Sequence, residues 1–140
     1  FKVMEYVRDN SPSQTKWLIK DIADIVRVEG NKPLFVFILL IDTHRPYYFG
    51  VGGTNVLDPS RPKLNFENQR KAIEYADRLF PTLIAPFKKL ERPTKVIITA
   101  DHGELFGPEY WSHDPSSLYI RFDPKLFQIP FIRGEVGSID

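Results

Sequence analysis

The sequence contains no cysteine, which excludes disulfides, thiolate metal ligands and cysteine nucleophiles within its 140 residues. It has little net charge, +1, so the charge balance does not indicate a nucleic acid or an acidic membrane surface as partner. Long apolar runs are also missing: the longest, residues 34–41, is far shorter than the roughly 20 residues of a membrane-spanning helix. What remains, 42% apolar and 26% charged residues, is the composition of one globular domain.

Two amphipathic helices are predicted. The first is capped by Ser11 or Ser13, with Pro12 near its first turn, and should end at Gly30 and Asn31. Its apolar residues recur at helical spacing at Trp17, Ile19, Ile22, Ile25 and Val26.

An irregular stretch at residues 49–64, with three glycines and two prolines, separates it from the second helix, predicted from about Asn65. Pro81 and Pro86 interrupt the apolar pattern of the second helix, so we expect a kink or two abutting helices. That pattern consists of Ile73, Ala76, Leu79, Phe80, Leu83, Ile84, Phe87 and Leu90.

Continuous apolar runs flank the second helix: LFVFILLI at residues 34–41 and KVIITA at residues 95–100. Both runs are typical of strands buried on both faces, and the strand–helix–strand order predicts a right-handed βαβ unit with parallel strands. LYIRF at 118–122 suggests an edge strand and QIPFIRGE at 128–135 a final short strand. Sites in open α/β sheets form at the carboxyl ends of the strands, which directs attention to the residues after positions 41 and 100.

Each of these two strand ends carries an acid and a histidine. Asp42 and His44 follow the first strand, and Asp101 and His102 follow the second. The third histidine of the chain, His113, lies 11 residues past His102, near enough for a loop to bring it back. Imidazole nitrogen and carboxylate oxygen together suit zinc, manganese or iron, so the pattern predicts a metal site at this sheet edge.

Other interpretations of these residues stay open. An acid or a histidine after a strand is often a turn residue or a cap. Glu104 either orients a metal ligand or is a solvated acid at a helix start, and Gly103 lets the backbone turn sharply. The serines at 11–13 are better explained by helix capping than as nucleophiles. GVGG at 50–53 lacks the position between a strand and a helix that a phosphate-binding loop needs.

Several segments resemble one known family in the same order. KVIITADHGELFG, residues 95–107, is similar to the strand and Asp-His-Gly-Glu motif of the sulfatase branch of the alkaline phosphatase superfamily. PLFVFILLIDTHRPYY, residues 33–48, is similar to that family's earlier strand, which ends in a His-x-Pro-Tyr-like segment. AIEYADRLFPTLIAPFKKL resembles the helix between them, WSHD the later histidine segment, and QIPFIRG the short strand that follows. The resemblance spans roughly residues 12–135 and implies a three-layer α/β/α sheet, mostly parallel and alkaline-phosphatase-like.

Carried over residue by residue, the resemblance implies that Asp101 and His102 are metal ligands. His44 would contact the sulfate or phosphate group or assist the leaving group. His113, followed by Asp rather than the family's usual Gly, would lie on the substrate side of the metal. Asp42 has no firm counterpart and is expected to be structural or to orient a ligand. The cofactor is a divalent metal ion, with manganese or zinc favoured by the Asp–His pair and calcium as the other option.

The implied reaction is the hydrolysis of a small-molecule sulfate ester, or of a phosphate or phosphonate ester. Family members also carry an acidic ligand on an earlier strand and a nucleophile, either formylglycine made from Cys or Ser, or Thr or Ser, and neither segment is recognisable in this sequence. No signal peptide is visible and the chain opens at Phe1 without Met, so we expect residues 1–140 to be one partial domain, the C-terminal half of a catalytic domain.

By itself this chain should be inactive. The alternative to part of a hydrolase is a non-catalytic domain that keeps the fold for binding or interaction. We expect no nucleic-acid partner and no membrane segment, although an extracytoplasmic or membrane-associated parent would agree with the family. An uncovered sheet edge would permit self-association.

Overall fold

The structure, a computed structural model, describes residues 14–45, 47–50, 62–106 and 123–137. Two helices, α1 (Gln14–Glu29) and α2 (Pro62–Ile84), contact each other, and two strands, β1 (Thr94–Thr99) and β2 (Phe131–Val136), form an antiparallel pair. Short 3-10 turns lie at Ile41–Thr43, Phe87–Lys89 and Pro124–Leu126. Among these residues, no helix combines the length and the apolar character needed to cross a membrane.

Helix α1 contributes Ile22 and Val26 to the buried core, where they cluster with Leu83 and Phe87. Trp17, which the sequence grouped with the apolar residues at helical spacing, is half exposed because at 3.6 residues per turn it lies on the side of the helix opposite Ile22 and Val26. The predicted end is confirmed, since Glu29 is the last helical residue. Gly30 is needed there for space: a Cβ would overlap the carbonyl oxygen of Val26. The predicted serine caps lie outside the described residues.

Helix α2 begins at Pro62 rather than Asn65 and runs through Pro81 to Ile84 as one element. Pro86 then precedes a separate turn, Phe87–Lys89, so only the second proline divides the predicted pattern. The buried side of the helix includes Ala72, Tyr75, Ala76 and Leu83. Ile73, a predicted core residue, is 52% exposed, because it lies one position past that side.

Strands β1 and β2 confirm the two strands predicted near 95–100 and 128–135, with small shifts of their bounds. The burial on both faces predicted for the first strand is not observed, since Ile97 is 63% exposed. Their register pairs Thr94 with Val136 and Thr99 with Phe131. The described sheet is antiparallel, and the predicted parallel pairing of residues 34–41 with β1 is not among its pairings. The suggested edge strand at 118–122 lies outside the described residues.

Residues 34–40 form neither a helix nor a strand ladder, but their burial alternates as in an extended chain. Val36 and Ile38 pack against the core formed by α1 and α2. Phe35, Phe37 and Leu39 point the other way and are 88%, 79% and 54% exposed. The predicted burial on both faces is therefore not observed, since only the even-numbered face is covered.

Candidate functional site

The chain leaves β1 at Thr99 and then presents Asp101 and His102. Nδ1 of His102 lies 2.7 Å from the carbonyl oxygen of Gly103. A carbonyl oxygen only accepts, so Nδ1 carries the proton and Nε2 carries the lone pair in the neutral ring. Oδ1 of Asp101 accepts a hydrogen bond from the backbone N–H of His102 at 3.0 Å, and Oδ2 lies 3.8 Å from Nε2. The carboxylate and the lone-pair nitrogen are thus held side by side.

This pair fits part of a metal site. Two ligands bound to one ion at about 2.0–2.2 Å lie about 3–3.5 Å apart, so the observed separation of 3.8 Å requires only a small closing movement. Zinc sites in proteins use three or four such ligands. Across the described ranges, no group of three or more His, Cys, Asp or Glu residues is arranged to hold an ion.

The loop that carries this pair is fastened to the turn Pro124–Leu126. The backbone N–H of Gly103 donates to the carbonyl oxygen of Leu126 at 2.8 Å. A Cβ at position 103 would overlap the carbonyl oxygen of Lys125. The glycine is required by this close approach and not by a left-handed backbone turn, since its φ is not positive. This corrects the reason for Gly103 that the sequence suggested.

His44 follows the turn Ile41–Thr43 on the other segment. Its backbone N–H donates to the carbonyl oxygen of Ile41 at 2.8 Å, and the Thr43 hydroxyl donates to the carbonyl oxygen of Leu40 at 3.1 Å. The exposed imidazole places Nδ1 2.8 Å from the carbonyl oxygen of Arg45, so Nε2 again carries the lone pair. His44 is therefore presented at the surface by a hydrogen-bonded turn.

Asp42 is buried, with only 4% of its surface exposed. Its Oδ2 accepts a hydrogen bond from the backbone N–H of Thr15, in the first turn of α1, at 2.8 Å. Its own carbonyl oxygen accepts from the N–H of Tyr48 at 2.9 Å. The sequence left two roles open for Asp42, a structural one and the orientation of a ligand. These contacts fit the structural role.

Tyr47 is a buried residue on the segment that carries His44. Tyr47 is 4% exposed, has φ of 57°, and donates its backbone N–H to the carbonyl oxygen of His44 at 2.8 Å. Burial raises the pKa of its phenol to about 12; the negative charge of Glu104 adds to the rise and Arg45 opposes it. The charge of Glu104, two residues past His102, therefore acts on Tyr47, three residues past His44.

Sequence reasoning did not single out Tyr47. The available signal was its place as the tyrosine of the His-x-Pro-Tyr segment, three residues after His44. His113 lies outside the described residues, so its relation to the other two histidines stays a prediction.

A sequence model of the sulfatase family matches residues 4–132 of this chain. No curated protein and no solved structure matches the chain. The family match covers most of the sequence and includes both the segment with His44 and the segment with Asp101 and His102. On this match, the chain belongs to the sulfatase family.

Proposed function

We propose that this chain forms part of a metal-dependent hydrolase of sulfate esters. The family match indicates sulfate ester hydrolysis at the level of the family. The observation that supports the proposal for this chain is the Asp101–His102 pair, in which the Gly103 carbonyl engages Nδ1 and leaves the lone pair on Nε2, 3.8 Å from a carboxylate oxygen. A histidine whose other ring nitrogen donates to a carbonyl is the usual arrangement of a metal-binding imidazole.

Asp101 and His102 would hold the divalent ion that the family generally uses. One nitrogen and one carboxylate favour manganese or zinc, because calcium prefers an all-oxygen set of six to eight ligands. When bound, such an ion neutralises negative charge on the transferring group. Asp101 is largely exposed, so an ion can reach the pair from solvent.

His44 and His113 would act on the ester itself. The exposed imidazole of His44 can donate a hydrogen bond to an oxygen of the sulfate group when it is protonated, or give a proton to the leaving oxygen. We assign His113 to the substrate side of the same site, in line with the family pattern. Phosphate and phosphonate esters present the same tetrahedral oxygen groups and are the alternative substrates.

The remaining parts of the site would come from polypeptide outside residues 1–140. Our proposal assigns to that polypeptide the nucleophile, the earlier acidic ligand and the strands that would make the sheet mostly parallel. Two observations support this assignment: among the described residues, no third His, Cys, Asp or Glu joins Asp101 and His102 in a metal-binding group, and the apolar face of residues 35–39 is uncovered. We expect the 140-residue chain alone to turn over sulfate or phosphate esters very poorly.

The same set of two donors, counted over the described residues, favours a second candidate, a non-catalytic domain that retains the sulfatase fold for binding. In either case, the chain alone should self-associate through residues 34–40. These residues are uncharged, form no ladder, and expose Phe35 and Phe37 on one side, so two copies can pair without charge repulsion.

Metal binding tests the ligand assignment of Asp101 and His102, on which the proposed hydrolase depends. Titration of the chain with Mn²⁺, followed by the electron paramagnetic resonance signal of the free ion, should show weak binding to one site. His102→Ala and Asp101→Asn should each weaken that binding at least about tenfold, since even indirect partners of a metal ligand cost that much. Asp77→Asn on the exposed side of α2 is the matched control and should bind as the parent does. Equal binding by His102→Ala and the parent would contradict the ligand assignment.

A further inference from the structure

We propose that Asp42 is a positioning residue, which holds His44 in place by capping the first turn of helix α1. The inference rests on the proposed role of His44 toward the ester. It adds a residue that the family pattern does not supply, because Asp42 belongs to neither the Asp-His-Gly-Glu motif nor the His-x-Pro-Tyr segment.

The contact between Asp42 and Thr15 is an unusual helix cap. The first N–H groups of a helix lack partners inside the helix, and a side chain just before the helix normally accepts from them. Here the acceptor is 27 residues downstream, and the contact is buried. A carboxylate at a helix N-terminus gains both from the ionic hydrogen bond and from the helix dipole. The contact therefore joins two distant parts of the chain firmly.

A short path of hydrogen bonds connects this cap to His44. Asp42 is the central residue of the turn Ile41–Thr43, whose closing bond is made by the N–H of His44. The carbonyl oxygen of His44 in turn accepts from Tyr47, and that of Asp42 accepts from Tyr48. Each bond fixes backbone on one side of His44, and the turn contacts both helices. The side chain of Asp42 ties this assembly to α1.

A role in stability alone is the competing explanation, since losing any buried polar partner destabilises a fold. The two explanations differ at His44. If Asp42 positions His44, then removing the carboxylate changes the environment of the His44 ring more than an unrelated destabilising substitution does. The three histidines of the chain make this measurable, because each gives separate imidazole signals in nuclear magnetic resonance spectra.

The experiment records side-chain ¹H–¹⁵N correlation spectra of the whole chain, assigned with His→Gln variants. In Asp42→Ala, the His44 signals should shift or be lost, while those of His102 stay in place. Asp42→Asn should restore the parent His44 signals, since its amide oxygen can accept the same bond. Asn68→Ala is the matched control, because Asn68 is a buried polar residue of α2, 6% exposed, and it should leave the His44 signals unchanged.

Unmoved His44 signals in Asp42→Ala, or equal movement in Asn68→Ala, would overturn the proposal. If Asp42→Ala does not fold, Asp42→Glu takes its place, because the added methylene displaces the carboxylate and should shift the same signals. Mn²⁺ binding tests the proposed function separately: Asp42→Ala should keep the parent affinity within about twofold, unlike a ligand variant. A chain that binds no Mn²⁺ would contradict the metal site and leave the spectral result on Asp42 standing.

Discussion

Gly103 lies so close to the backbone of Lys125 that a methyl group on its Cα would overlap the carbonyl oxygen of Lys125. The same residue donates its N–H to the carbonyl oxygen of Leu126 at 2.8 Å. The loop that carries Asp101 and His102 is therefore seated on the turn that leads into β2. Any side chain at position 103 must separate these two backbones.

Gly103→Ala is expected to destabilise the chain by about 1–3 kcal/mol, the usual cost of forcing extra atoms into a packed site. Thermal and urea unfolding would measure the loss. Gly134→Ala is the matched control, since Gly134 lies in β2 and a Cβ there meets no atom within 4 Å. That control should be neutral or slightly stabilising, because alanine in a strand costs less backbone entropy than glycine. Similar losses of stability in both variants would show that the close approach of Gly103 to Lys125 does not cause the destabilisation.

Tyr47 combines two unfavourable features. Its backbone adopts the left-handed conformation at φ of 57°, and within the described part of the chain its buried hydroxyl has no hydrogen-bond partner. Burial and the charge of Glu104 raise the pKa of the phenol from 10.0 to about 12. The folded chain therefore keeps this proton over a pH range in which the unfolded chain has lost it.

It follows that the stability supplied by protonated Tyr47 is fully present below pH 10 and is lost as the pH rises to about 12. The slope is at most about 1.4 kcal/mol per pH unit. In Tyr47→Phe this part of the alkaline loss should disappear, and stability near pH 7 should be equal or higher because a buried unpaired hydroxyl has been removed. Urea unfolding of both proteins between pH 8 and 12, taken as a difference, isolates the effect. Parallel curves would contradict the raised pKa.

The local elements were predictable from the sequence because their causes are local. Gly30 ends α1 and the branched run near Val96 forms β1, as expected. The pairing of the strands was not predictable from the sequence, since it depends on which segments meet in space. The same is true of Asp42: its residue type suggested a cap, but only the fold shows that the capped N–H belongs to Thr15, 27 residues earlier.

The side of α2 that faces the core is a second feature that the sequence predicts only in part. Periodicity placed Ile73 and Leu83 together in one apolar pattern. In the structure, Leu83 is 4% exposed and Ile73 is 52% exposed, because α1 covers only part of that pattern. When the apolar face of a helix is wider than the element packed on it, the residues at the edge of that face stay exposed. The sequence alone does not say which residues these are, because it does not show where the packing element lies.

Leu83→Ala should therefore cost about 2–5 kcal/mol, whereas Ile73→Ala should change stability by no more than about 0.5 kcal/mol. Both residues lie in α2, and the helix propensities of leucine and isoleucine differ by only a few tenths of a kcal/mol, so propensity explains little of the expected difference. Urea midpoints at constant slope provide the comparison. A large loss in Ile73→Ala would mean that something covers this side of α2 in solution.

Phe35 and Phe37 provide the corresponding test for the face of residues 34–40 that is left uncovered. The exposed aromatic rings lie on a segment without a ladder, so we expect the chain to associate with a second copy there as its concentration rises. The double variant Phe35→Thr with Phe37→Thr keeps the strand preference of the segment and removes its apolar surface, and it should lower the association measured by sedimentation velocity. Val28→Gln with Ile73→Gln removes two exposed apolar side chains from the helices and should leave association unchanged. If the helix variant dissociates the chain as effectively as the Phe variant does, the contact lies on the helices and not on residues 34–40.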